Sequence, residues 1–316
     1  MKNNGVIVIG GPTASGKSGL AIDLAAALDG EIINADSMQV YKDIPILSAV
    51  PDENERKNIP HWLFEIYESD FRGNVVDWLD LCVAKIKDIR QKGKVPVVVG
   101  GTGMYLQNLI SGTTPIPPTD EKIRENLKRE FAVNSLSFMY KKLQNVDKVT
   151  AEKLSPNDKT RIMRALEVFE SSGVKISDWY EKPMIKMLPE ADFFFIKILP
   201  NISELENNCR VRFDKMVKIG ALDEVKNLLS KNIDADSPAM KALGVPELMD
   251  YLKGKISIAE AVELAKLHTR QYAKRQLTWF RNQMTADFEI KNCYRGEKNI
   301  VDDIKKAIQN PCRKKD

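Results

Sequence analysis

The chain has 316 residues, of which 43% are hydrophobic and 29% charged, with a net charge of +4. That length can bury a full core, and the balance is ordinary for a soluble globular protein. No run approaches the roughly 18 apolar residues of a membrane span, so no membrane partner is expected, and so small a charge identifies no polyanion by itself.

Residues 6–9, all Val or Ile, read as a buried parallel strand; with one Lys before it and the phosphate loop directly after it, this N-terminal stretch is expected to be part of the fold, not a signal peptide. "GPTASGKS" follows, matching G-x-x-x-x-G-K-[ST] from Gly11 to Ser18. In such a loop the glycines let backbone N–H groups of Gly11, Pro12's successors Thr13, Ala14 and Ser15, and Gly16 curl around phosphate oxygens, ahead of a helix N-terminus. Lys17 can reach the outer phosphates and the Ser18 hydroxyl can ligate Mg²⁺. The helix behind the loop spans 19–28. A second strand, 31–34, ends at Asp36, which is either the N-cap of a following helix or a carboxylate facing the phosphate crevice, as metal ligand or proton acceptor.

Residues 75–92 have the spacing of an amphipathic helix, and 95–99 that of a third strand. This strand ends in "GGTG", where a Walker B strand would end in Asp. Thr102 offers a hydroxyl there, and the missing carboxylate counts against a simple ATP hydrolase. The alternation argues a doubly wound α/β core, a P-loop NTPase-like parallel sheet with its functional groups at the carboxyl ends of the strands. Prolines at 115, 117 and 118 end regular structure. From 121 to about 181 the pattern is helical and charged, until "DFFFIKIL" returns to the sheet. The expected organisation is a core over 1–117, a helical insertion over 118–186, and a return to the core with C-terminal helices over 187–316. Residues 203–291 read as helical throughout.

Between 264 and 286 there is no acidic residue. Val262, Ala265, Ala273, Leu277 and Phe280 share one face at helical spacing, which leaves Lys266, Arg270 and Lys274 stacked four apart as a basic stripe. Such a stripe is a solvated face or a polyanion surface. Trp279 either fills core or stacks on a base. The four cysteines (82, 209, 293, 312) form no C-x-x-C pair, which suggests neither a disulfide framework nor a zinc site and fits a reducing cytoplasm.

"GPTASGKS", "NADSMQVYK", "IPHWL", "VPVVVGGTGMYL", "SPNDKTRIMRALEVFESSG" and "TRQYAKRQLTWFR" occur in that order between about residues 5 and 285. In these motifs the chain resembles the tRNA dimethylallyltransferases (tRNA delta(2)-isopentenylpyrophosphate transferases) of bacterial type. The resemblance implies transfer of a dimethylallyl group from dimethylallyl diphosphate to N6 of the adenosine 3′-adjacent to the anticodon. The loop would then grip a departing diphosphate, helped by Lys17 and Mg²⁺. Asp36 would take the N6 proton, with Thr102 beside it. Asp36, Ser37, Met38, Gln39 and Thr102 would line the side where the unstacked base enters. Thr160, Arg161, Ile162, Met163, Arg164, Lys274, Arg275, Gln276 and Arg281, with Arg124, would contact tRNA. A monomer is expected.

Two departures stand out. Leu47-Ser48-Ala49-Val50-Pro51 replaces a Gly-Thr-Ala-Lys-Pro run common in the family, and His61-Trp62 replaces a double His. The tail, with only Cys293 and Cys312, lacks the zinc finger of eukaryotic members. The competing readings are a P-loop kinase of small molecules, a prenyltransferase of free adenine nucleotides, and an RNA-binding NTPase switch.

Overall fold

The structure is a computed structural model that describes residues 4–310. Cys312 therefore lies outside the described residues. Six strands form one sheet: β1 (Gly5–Gly10), β2 (Gly30–Asn34), β3 (His61–Trp62), β4 (Val95–Gly100), β5 (Asp192–Ile198) and β6 (Phe288–Ile290). The order is β3-β2-β4-β1-β5-β6, and every pairing is parallel. The fold is α/β with a P-loop NTPase-like core. The central strands read as unbroken apolar runs because both faces are covered. On one face Ile7, Ile9, Ile32, Val97 and Ile196 pack against Leu20 and Leu24 of the helix Lys17–Leu28. On the other, Trp78 of the helix Val75–Gln91 stacks on Tyr105 at 4.5 Å.

Two strands escape the sequence reading. β3 has two residues, too few for any periodicity to register. β6 lies inside the stretch 203–291 read as all helix. The long helix Ile258–Gln283 stops before it, where the buried Lys197 ammonium of β5 donates to the Phe280 and Met284 carbonyls at 3.3 and 2.8 Å. Those carbonyls would otherwise lack partners at a helix end. No described helix is long and apolar enough to cross a membrane.

The chain divides into two units, one up to Ile110 and from Leu188 onward, the other Ser111–Met187. The second has its own core of Leu127, Met139, Leu143, Ile162 and Leu166 on three main helices, Glu121–Val133, Leu136–Val146 and Lys159–Ser172. Asp120, Ser135 and Asp158 cap these helices by accepting from backbone N–H groups in the first turn.

Candidate active site

The phosphate loop leaves β1 and turns through the left-handed region at Ala14 (φ 62°) and Gly16 (φ 90°). This is the curl with which successive N–H groups make an anion-binding concavity. Gly16 has a second constraint: a Cβ there would lie 2.2 Å from the Tyr294 carbonyl oxygen. Lys17 donates from Nζ to the Pro12 carbonyl at 2.7 Å, and burial pushes its ammonium down to about 8. Ser15 Oγ is buried without a hydrogen-bond partner among the described residues.

Arg212, absent from the sequence reading, reaches this loop from the helix Ile202–Lys218 and donates from Nη2 to Thr13 Oγ1 at 2.6 Å. Its Nε is buried and unsatisfied. Among the described residues neither Lys17 nor Arg212 has a carboxylate within ion-pair distance. Both feel the Asp36 carboxylate across the crevice without pairing with it, and two desolvated cations without a directly paired anion are costly, a cost that a bound polyanion relieves. Nothing in "CRVRFDKM" separates Arg212 from the exposed Arg210, which pairs with Glu263 at 3.0 Å. Only the helix's rotation against the loop does so.

The opposite wall is the end of β2. Buried Asn34 holds the Asp36 backbone on both sides, accepting from Asp36 N at 2.9 Å and donating to Asp36 O at 3.1 Å. Asp36 accepts from Met38 N through Oδ1 at 2.9 Å, an Asx turn. No helix starts here, so the N-cap alternative is overturned and the half-buried carboxylate faces the crevice. Thr102 Oγ1 accepts from Ser37 N at 2.9 Å and lies 3.2 Å from Ser37 Oγ, so it fixes the turn that carries Asp36. Gln39 Nε2 donates to the Ser48 and Ala49 carbonyls at 3.1 and 2.7 Å, and Glu224 accepts from Ile46 N and Leu47 N. These bonds anchor the segment 47–51, in which this chain departs from the common pattern.

Two adjoining cavities meet at this wall. One, of about 530 Å³, is lined by Thr13, Ala14 and residues 16–19 of the loop with Asp36, Gln39 and Arg212. The other, of about 370 Å³, is lined by Asp36, Ser37, Met38, Arg212, Tyr272 and Arg275. Thr13, Asp36, Ser48 and Arg212 belong to both. Both volumes fall in the range of small-ligand sites. Ser18 is exposed at the mouth of the first cavity and its hydroxyl has no partner among the described residues. Among the described residues no group of three metal-ligating side chains occurs there. A hard cation ligated by one hydroxyl and by a ligand's phosphate oxygens fits this donor set, whereas a cation held by protein alone does not.

The basic stripe dissolves in part. Lys266 is buried and paired with Asp214 and Glu263 at 2.6 and 3.0 Å, and Arg270 pairs with Glu206. The acids come from the neighbouring helix and the preceding turn, outside the window in which acidic residues are missing. Lys274, Arg275 and Arg281 stay exposed and free of ion pairs among the described residues. Gln276, expected at the tRNA surface, is instead 6% exposed and turned inward. Trp279 is half-buried against Gly103 and edge-on to Phe280 at 5.1 Å.

In the second unit, Ile162 and Met163 are core residues at 0 and 9% exposure, which removes their side chains from any RNA surface. Thr160 and Arg161 are exposed. Arg164 donates to Thr119 Oγ1 at 2.5 Å, and Arg124 is paired with Glu121 at 2.6 Å and Glu167 at 3.7 Å.

A family model described as IPP transferase matches residues 39–283, and one described as Isopentenyl transferase matches residues 4–66. A tRNA dimethylallyltransferase of Zymomonas mobilis subsp. mobilis is 42% identical over 282 residues, covering 89% of this chain and 89% of that protein. One of Pelagibacter ubique is 40% identical over 289 residues, with 92% of each chain covered. The full-length tRNA isopentenylpyrophosphate transferase of Bacillus halodurans superimposes with a TM-score of 0.70 at 30% identity, covering 97% of this chain and 96% of that one. A eukaryotic dimethylallyltransferase acting on tRNA gives a TM-score of 0.82 at 29% identity over 99% of this chain and 81% of that one.

Proposed function

The chain belongs to the IPP transferase family, and from that premise we propose that it moves a dimethylallyl group from dimethylallyl diphosphate to N6 of the adenosine 3′-adjacent to the anticodon of tRNA. One observation carries the reading: two cavities share a carboxylate and an unpaired guanidinium, Asp36 and Arg212. The donor's diphosphate belongs in the first cavity against Lys17 and Arg212, and an unstacked adenine in the second beside Ser37 and Tyr272. Neither substrate then has to cross the other's site.

In the reaction the bond between C1 of the allyl group and its oxygen breaks, and the electron pair leaves with the diphosphate. Negative charge grows on oxygens facing Lys17, Arg212 and the loop, groups already oriented before reaction. N6 bonds to C1, and its proton passes to Asp36. Adenine N6 is a weak nucleophile because its lone pair is delocalised into the ring, so a positioned base is worth about 10²–10⁴-fold. Thr102 and Asn34 hold that base in place. Mg²⁺, held by Ser18 and the donor's own phosphate oxygens, would screen the leaving charge.

Lys274, Arg275 and Arg281 supply the free cations for the tRNA backbone, with Thr160 and Arg161 on the second unit. Cys82, Cys209 and Cys293 are unpaired and buried, in keeping with a reducing cytoplasm. A kinase would want a carboxylate after β4, where this chain has Gly100-Gly101-Thr102.

Incubation with tRNA, dimethylallyl diphosphate and Mg²⁺, followed by nucleoside mass analysis, should yield N6-dimethylallyladenosine. Consumption of ATP with the prenyl donor ignored would establish the kinase reading instead. Label appearing on free AMP but not on tRNA would establish the nucleotide prenyltransferase.

A further inference from the structure

Gln276 lies on the long helix next to Lys274 and Arg275, yet its amide faces the interior. Oε1 accepts from Thr13 N at 2.8 Å, and Nε2 donates to the Gly101 carbonyl at 2.8 Å. Thr13 belongs to the phosphate loop after β1, and Gly101 to the turn after β4, the strand paired with β1. A Cβ on Gly101 would sit 2.5 Å from Gln276 Nε2 and 3.2 Å from Asp36 Oδ2. The amide and the Asp36 carboxylate therefore flank the same glycine.

Thr13 is held from two sides, its N–H by Gln276 and its hydroxyl by Arg212. The N–H is committed to a side chain and so leaves the set that could grip phosphate. A primary amide supplies one acceptor and two donors at a single planar end, so it can accept from one loop while donating to the other.

We propose that Gln276 is a positioning residue that sets the separation between the diphosphate cradle and the Asp36 carboxylate, a role that rests on the prenyl-transfer reading. The two reacting groups sit on different loops, and a misplacement of about 1 Å is enough to cost on the order of 10²-fold in rate. Gln276 touches neither reacting atom; it acts through Thr13 and Gly101.

Two variants test this against wild type with tRNA and dimethylallyl diphosphate. Q276M keeps the volume and loses both hydrogen bonds. Its kcat should fall by about 10²-fold, while KM for tRNA and the salt dependence of tRNA binding stay within twofold. The carboxyl introduced by Q276E can mimic the amide only when protonated, and burial raises its pKa. The ratio of Q276E to wild-type kcat should therefore rise as pH is lowered.

A loss confined to tRNA KM, or a reduced salt slope, would make Gln276 an RNA contact and overturn the proposal. A Q276E ratio that is flat with pH would reduce Gln276 to packing and overturn it as well; this readout serves even where Q276M fails to fold. A wild type that transfers no prenyl group would sink the functional reading and this inference together. An active wild type with an unimpaired Q276M would sink the inference alone.

Discussion

Lys17 and Arg212 are desolvated cations that feel Asp36 across the crevice but, among the described residues, have no carboxylate at ion-pair distance, and Asp36 is a carboxylate held in place by Asn34 and the Met38 amide. This division of charge makes separate predictions for donor and acceptor. Asp36→Ala should reduce prenyl transfer by about 10²–10⁴-fold, the worth of a positioned base. Its tRNA affinity, measured by filter binding, should change only a few fold, and surviving activity would place the proton acceptor elsewhere. Burial lowers Lys17 to about 8 from 10.5, and a bound diphosphate restores its charge. Donor binding therefore takes up a proton above pH 8, and affinity should fall there by up to about tenfold per pH unit. Calorimetry in buffers of different ionisation enthalpy would detect that uptake, and K17M should abolish it. In the free protein the unfolded chain binds the extra proton between these pH values, so this group's contribution to stability rises across the same window. Lys17 was legible in its motif. Arg212 was not, because a helix sequence does not say which of its cations will meet a loop far away in the chain.

Helices decide which charges remain available. On Ile258–Gln283 the apolar positions Ala265, Ala273, Leu277 and Phe280 are buried as their spacing requires, but the polar residues between them divide by contact. Lys266 and Arg270 meet acids of the helix Ile202–Lys218, and only Lys274, Arg275 and Arg281 keep their charge for a partner. Replacing Lys274 and Arg275 with Ala should weaken tRNA binding and flatten its salt dependence by about one unit of slope per lost phosphate contact. Lys266→Ala should leave that slope unchanged and lower stability, because Asp214 and Glu263 lose their shared partner. An equal effect of Lys266 on the slope would restore the stripe as an RNA surface. At the start of Ala221–Ser230, burial raises Glu224 to about 7 from 4.5, although the Ile46 and Leu47 amides pull the other way. The native state then holds a proton that the unfolded chain has released between pH 4.5 and 7. Stability should fall as pH rises through that window and level off above it, by at most roughly 3.5 kcal/mol at about 1.4 kcal/mol per unit. E224Q should remove this slope from chemical denaturation curves.

At the scale of the molecule, the order β3-β2-β4-β1-β5-β6 puts β1 beside β4 and β4 beside β2, so the phosphate loop, the Gly100–Thr102 turn and Asp36 emerge next to one another. The site is the product of that adjacency. What the sequence determined by itself was local: four of the six strands, the amphipathic helices, the phosphate loop and the motifs that mark the family, because each is written in the spacing or type of neighbouring residues. What only the tertiary structure decided depends on groups distant in the chain. Two strands of two and three residues exist because an edge was there to pair with. Arg212 joined the cradle, Ile162 and Met163 withdrew into a core, and Lys266 found acids across a helix boundary. Gln276 turned inward because Thr13 N and the Gly101 carbonyl, 263 and 175 residues away in the chain, needed partners at that one point. Hydrogen-bond satisfaction in a closed interior is a property of the assembled fold, and no window of sequence contains both sides of it.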